Sequence, residues 1–144
     1  MSDENTRIIV RWFEGVWNQG HREVIDQMLA ADCIIHDGAT AITGPAEFKR
    51  FYDRMRASFS DMRVTPQHGF GADSYACLRW TVQMRHTGDD LGIPATGKVV
   101  ETTGMSIVRI VDGRLAEAWQ NWDMLGMMQQ ITGAETARVY MAAS

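Results

Sequence analysis

Cysteine, proline and excess positive charge are all scarce in this chain of 144 residues. Its two cysteines, Cys33 and Cys77, lie far apart and form no paired metal or redox motif. Two isolated thiols suit a reducing cytoplasm, where the protein is expected. With three prolines and no Pro/Gly/Ser-rich stretch, nothing marks a linker. Residues 1–144 read as a single domain, with 133–144 as a small-residue tail carrying Val139, Tyr140 and Met141 as an apolar island. Lys plus Arg is 14 against 18 for Asp plus Glu, a net charge of −4, so no basic surface is available for phosphates and nucleic acid is excluded as the expected partner. No apolar run approaches the ~18 residues of a membrane span, and the start Met1-Ser2-Asp3-Glu4-Asn5 lacks the basic-then-apolar layout of a secretion signal. No membrane partner is expected. His-x-His, His-Glu-x-x-His, Gly-x-Ser-x-Gly and a phosphate-cradling glycine loop are also missing, so neither metal nor cofactor is expected.

What is present is an ordinary globular composition, 45% hydrophobic and 22% charged, enough for one sizeable core. Ile8, Ile9, Trp12, Phe13, Val16 and Trp17 repeat at helical spacing, and Gly20 stops that helix. Val24, Ile25, Met28 and Leu29 mark a second, and Cys33 to Asp37 a short strand. Gly44-Pro45-Ala46-Glu47 opens a third helix, whose stripe is Phe48, Phe51, Tyr52, Met55 and Phe59. The period then switches to two, predicting strands at about 62–69, 74–87, 97–111 and 114–122, with Asp112-Gly113 as a hairpin turn. A last helix runs from near Asp123 to about Thr132. Helices first and an antiparallel meander later predict an α+β fold. The long strands must bend, and Gly104 in mid-strand offers a bending point. The expected shape is a cup with a pocket inside, a strongly bent antiparallel or mixed sheet wrapped around the N-terminal helices.

Alternation assigns the faces. Leu78, Trp80, Val82, Met84 and His86 share the side toward the helices, which puts His86 at the mouth of an apolar cavity. An uninterrupted register from the Asp112-Gly113 turn pairs Ser106 with Trp119, Gly104 with Asn121 and Thr102 with Asp123. Trp119, Asn121 and Asp123 then join Ser106 on the cavity side, and His86 and Asp123 face each other across roughly 10 Å, two strand spacings. Asp123 has two readings. It caps the last helix, or it is a carboxylate whose pKa is raised in an apolar cup and which takes a proton from carbon. His36, on the face of Ile34, reads as a hydrogen-bonded structural histidine or a polar pocket wall. Trp80 and Trp119 are candidate ligand-stacking surfaces. The other face, with Cys77, Thr81, Gln83, Thr103, Met105 and Ile107, is apolar enough to predict a homodimer through the outer sheet.

The run from His86 through Thr87-Gly88-Asp89-Asp90 to Gly97-Lys98 resembles the histidine loop of SnoaL-like polyketide cyclases. So does Arg109 to Trp119 followed by Gln120-Asn121-Trp122-Asp123, as do Val16-Trp17-Asn18-Gln19-Gly20 and Gly44-Pro45-Ala46-Glu47-Phe48. The similarity covers about residues 8–132 and implies a cone-shaped fold of the nuclear-transport-factor-2-like superfamily. It also implies a cofactor-free intramolecular aldol ring closure on a polyketide-like ester. Asp123 matches the acid/base carboxylate of that family and His86 its pocket histidine. His36, Trp80, Trp119, Asn121 and Ser106 are the expected contacts to a small apolar or aromatic ligand. A ligand-binding or dimerisation module without proton transfer, and a related isomerase or hydrolase, stay open beside the cyclase.

Overall fold

The computed structural model describes residues 3–133; the apolar island at 139–141 lies outside the described residues. Helix α1 (Glu4–Phe13) is capped by Asp3, whose carboxylate accepts the Thr6 N–H at 2.9 Å. Its last turn widens into a π-helical segment, Glu14–Asn18. This segment ends on Asn18, whose side-chain amide donates to the Val64 carbonyl at 2.8 Å and accepts the Val64 N–H at 2.6 Å. The edge strand thus finds partners for its open backbone groups. Gly20, at φ +69°, stops the segment as expected.

Helix α2 (Glu23–Met28), strand β1 (Leu29–Asp37), strand β2 (Thr40–Thr43) and helix α3 (Gly44–Ser58) follow. The meander is β3 (Phe59–Ala72), β4 (Tyr75–His86), β5 (Val99–Val111) and β6 (Arg114–Trp122), closed by α4 (Met124–Thr132). The six strands form one mixed, open sheet in the order β2-β1-β6-β5-β4-β3, with β1 parallel to β6 and every other pair antiparallel. Strand β2 has no counterpart in the periodicity. It is too short for a period to show, and Gly38 at φ +63° turns the chain back onto β1.

The inner face of the sheet carries the core. Trp12, Phe13, Trp80 and Met84 are buried as their spacing predicts, and Phe51 is half-buried. Trp12 packs on Phe48 of α3 with ring centroids 5.1 Å apart, and Trp17 meets Phe48, Phe51 and Tyr52. The Arg56 guanidinium lies over the Trp17 ring and donates to the carbonyls of Val16 and Trp17, satisfying acceptors left open where the first helix ends.

One irregularity decides what faces inward. The turn is as predicted: Asp112 and Gly113 both have positive φ, and Val111 pairs with Arg114 and Ile110 with Leu115. The next pair, however, is Arg109 with Glu117, so Ala116 bulges out of the ladder. A single extra residue reverses the parity of everything after it. Ser106 therefore pairs with Gln120 and Gly104 with Trp122. The expected pairing is corrected: Trp119 pairs with Ile107 and Asn121 with Met105, on outer-face parity, although Trp119 still borders a small inner space and Asn121 the rim of a cleft. Ala118, Gln120 and Trp122 take the inner positions instead.

Candidate active site

Two of the spaces on the inner face share walls. The deeper is an apolar cavity of about 50 Å³ walled by Phe13, Trp17, Met55, Trp80 and Met84, among others. That volume holds little more than a water molecule. The outer is a cleft of about 580 Å³ between α3, the β1–β2 turn and the end of β6, large enough for a small polycyclic molecule. Phe51, Gln120 and Trp122 wall both, so they form the threshold between them.

Asp37 stands on the cleft side of that threshold, half-buried, on the inner-face parity of Ile35 and Cys33. Trp122 Nε1–H donates to Asp37 Oδ1 at 3.2 Å, and the Gln120 amide approaches the same oxygen at 3.5 Å. Burial pushes the Asp37 carboxyl above its ordinary value, and the two donors pull weakly the other way. Behind Gln120 a polar chain crosses the sheet. Trp80 Nε1–H donates to Ser106 Oγ at 3.1 Å, and the Ser106 hydroxyl points to Gln120 Oε1 at 3.5 Å. The chain fixes the amide with its oxygen toward Ser106 and its NH2 toward Asp37. Trp80 and Ser106 thus occupy the inner positions expected of them.

The opposite wall belongs to α3. Arg50 and Arg54 lie one helical turn apart, exposed, with Phe51 between them, and both line the cleft. Like charges at this spacing cost a few tenths of a kcal/mol.

The other expected site residues lie elsewhere. Asp123 is exposed and walls neither space. Its Oδ1 accepts the Gly126 N–H at 2.8 Å, the N-cap of α4. Of its two readings the structure shows the cap, and an apolar setting for its carboxyl is corrected. A β-strand ending at Trp122 needs a residue with a short acceptor there before a helix can start, which is what placed an aspartate at this point. His86 is fully buried, not at a cavity mouth. Its Nδ1 meets the Thr96 N–H at 3.2 Å and the Thr96 hydroxyl at 3.1 Å, and its buried Nε2 has no partner among the described residues. His86 exchanges backbone hydrogen bonds with Lys98 and Gly97, so it anchors the 87–98 loop beside Phe59. His36 takes the hydrogen-bonded reading: on the outer face, its Nε2 meets Glu117 Oε2 at 2.8 Å and its ring stacks on Trp119 at 5.5 Å. The bond to His36 holds the Glu117 carboxyl below its ordinary value. Asn121 is exposed at the rim of the cleft. Among the described residues no three histidine, cysteine or carboxylate side chains cluster to hold a metal.

Asp37, Gln120 and Trp122 escaped the sequence reading. Asp37 was visible by parity, since it alternates with His36 and shares the face of Ile35. Gln120 and Trp122 were hidden by the bulge.

The site is thus a cleft above an apolar interior of an open α+β fold, with a half-buried carboxyl at the join, and among the described residues no helix is long and apolar enough to cross a membrane. The chain belongs to the SnoaL-like polyketide cyclase family, whose model matches residues 7–131. Among solved structures, a candidate polyketide cyclase from Acidithiobacillus ferrooxidans shares 26% identity at a TM-score of 0.83, over 93% of this chain and 98% of that one. IdmH, a candidate polyketide cyclase from Streptomyces antibioticus, shares 24% at 0.80, over 92% and 100%. AclR, a candidate hydroxylase from Streptomyces galilaeus, is just as close in shape at 0.83, with 19% identity over 97% and 92%. The shared shape is therefore compatible with more than one chemistry. No curated protein matches the chain.

Proposed function

We propose that this protein is a cofactor-independent acid/base catalyst of the cyclase type, with Asp37 in the role that the sequence pattern suggests for Asp123. The observation that carries the reading is the Asp37 carboxyl, shifted toward higher pKa by burial, at the threshold between a ligand-sized cleft and an apolar cavity. A carboxylate in water, with a pKa near ~4, is a feeble base toward a C–H acid, and burial strengthens it. The Asp37 carboxylate removes the proton α to a carbonyl. The carbanion attacks a second carbonyl of the same molecule, and the new alkoxide takes the proton back from the Asp37 carboxyl. Protons balance and no redox partner is needed. The enolate oxygen is the harder half of the problem, and the NH2 of Gln120, only loosely held by Asp37, is the donor within the site. His86 acts at a distance, holding the 87–98 loop.

The test is proton exchange at carbon. An aromatic β-keto ester is incubated with the protein in heavy water and deuterium uptake is followed by NMR. The expected result is wash-in at least about 10²-fold faster than in buffer, the lower end of what a positioned acid/base supplies. Binding of the ester without accelerated exchange would make the chain a binding module.

The quaternary state belongs to the same proposal. Across the outer face, His36, Trp119, Ile107 and Cys77 form one row of neighbouring positions on β1, β6, β5 and β4. Ile34, Tyr75, Met105 and Ile107 are exposed on this face. An apolar sheet face of that extent favours pairing with a second copy. Light scattering at micromolar concentration is expected to show twice the chain mass of 16.2 kDa, and a mass near 16.2 kDa would overturn the dimer.

A further inference from the structure

Helix α3 carries four cationic side chains, and they divide by partner. Lys49 is paired with Asp26, and Arg56 is spent on the Val16 and Trp17 carbonyls. Arg50 and Arg54 make no ion pair or side-chain hydrogen bond among the described residues, and these two line the cleft. Glu47, which lines the same cleft one turn before Arg50, accepts the Thr43 N–H at 2.6 Å at the start of the helix and makes no ion pair with either arginine. Asp53, on the same helix, is held by both nitrogens of the Arg22 fork at 3.0 Å. Asp37 and Glu47 line the cleft as well, but neither pairs with Arg50 or Arg54, and two arginines one helical turn apart without an ion-pair partner on the wall of a ligand-sized cleft are an anion-recognition feature.

The geometry points to a ligand that carries a free carboxylate: Arg50 and Arg54 on α3 hold that group, and the flat carbon skeleton lies over Phe51 and Trp122. This inference rests on the catalytic reading only for the placement of the reacting carbon beside Asp37, across the cleft from the arginines. It commits the site to an aromatic or polyketide-like acid over the corresponding methyl ester. The ester has lost the charge and one acceptor oxygen that a guanidinium fork recognises. Asp37 lines the same cleft and, when ionised, repels an incoming carboxylate, so the preference for the acid is carried by Arg50 and Arg54 alone.

The experiment measures equilibrium binding of two probes, anthraquinone-2-carboxylate and its methyl ester, by calorimetry and by quenching of tryptophan fluorescence. The intact protein is expected to bind the acid at least 10-fold more tightly, with the preference shrinking as salt is raised. The R50Q/R54Q double variant, both positions being exposed, is expected to fold with an unchanged near-ultraviolet spectrum and to bind the two probes equally. D37N is expected to keep the preference. Equal affinity for acid and ester in the intact protein, an equal loss for both in R50Q/R54Q, or binding of neither probe would overturn the inference. The two readings fail separately: an arginine-dependent preference without deuterium exchange removes catalysis and leaves the anion site. Exchange without any preference removes the anion site and leaves the base.

Discussion

Replacing Asp37 by asparagine is expected to lower turnover of a cyclising substrate by roughly 10²- to 10⁴-fold, the range for a positioned acid/base. The same substitution is expected to raise the melting temperature at neutral pH. The two effects share one cause. Burial raises the Asp37 pKa in the folded protein above its unfolded value, so the folded state binds more protons between those two values. Stability therefore falls as pH rises through that window, and at pH 7 the fold carries the whole penalty of a half-buried charge. Asparagine keeps the shape and an oxygen for the Trp122 N–H but cannot ionise, so the penalty disappears together with the base. The rate should follow the opposite course, rising with pH as Asp37 ionises, with its acid limb shifted upward in the direction that burial sets. D123N is the control. Asparagine caps a helix about as well as aspartate, so stability and turnover should both stay close to wild type. Measuring kcat/KM and melting curves for both variants decides between the carboxylates. A collapse of turnover in D123N with D37N active would return the chemistry to Asp123.

The contrast between these two aspartates shows where the sequence was readable. Strand alternation in β4 placed Leu78, Trp80, Val82, Met84 and His86 inward, and all five are buried, because a strand without a bulge over that span obeys period two. The same rule applied to β6 misplaced Trp119 and Asn121, because Ala116 bulges next to a parallel neighbour. The β1–β6 ladder shifts register in the same region, between Leu29 and Ile34. A bulge there depends on how β1 packs from the far side, and no local sequence feature at Ala116 announces it. The Asp123 motif was read from pattern and its side chain was put inside by the uninterrupted register. Once the bulge is known, the strand ends with Trp122 inward, and Asp123 falls to the helix start. Asp37 needed only the parity of a short strand. Its neighbour His36 has the opposite parity and lies on the outer face beside Trp119.

Gly104 was legible as a special position but for a different reason from the one that its place in a long strand suggests. If it served only to let β5 bend, alanine there would be nearly neutral or stabilising, since Gly→Ala restricts the unfolded chain. The structure sets a larger opposing effect. A Cβ on Gly104 would sit 2.3 Å from Trp80 Cζ2 and 2.6 Å from Cη2. The indole is buried and backed by Phe13 at a centroid distance of 5.7 Å, so moving it disturbs the packing of the core. Overpacking of this kind costs about 1–3 kcal/mol, and displacing the ring also loses the Nε1–H bond to Ser106, worth about 1 kcal/mol. Gly104→Ala is therefore expected to lower the melting temperature by roughly 10 °C, at about 3–4 °C per kcal/mol for a domain of this size. It should also loosen the Ser106–Gln120 end of the chain leading to Asp37. Trp80→Phe removes the indole atoms that the new methyl group meets. In that background the alanine should cost at least ~1 kcal/mol less, a coupling of the size expected for residues in contact. Denaturant unfolding of the two single variants and the double variant measures it. Strict additivity would mean that the glycine bends the strand and that the ring above it is incidental.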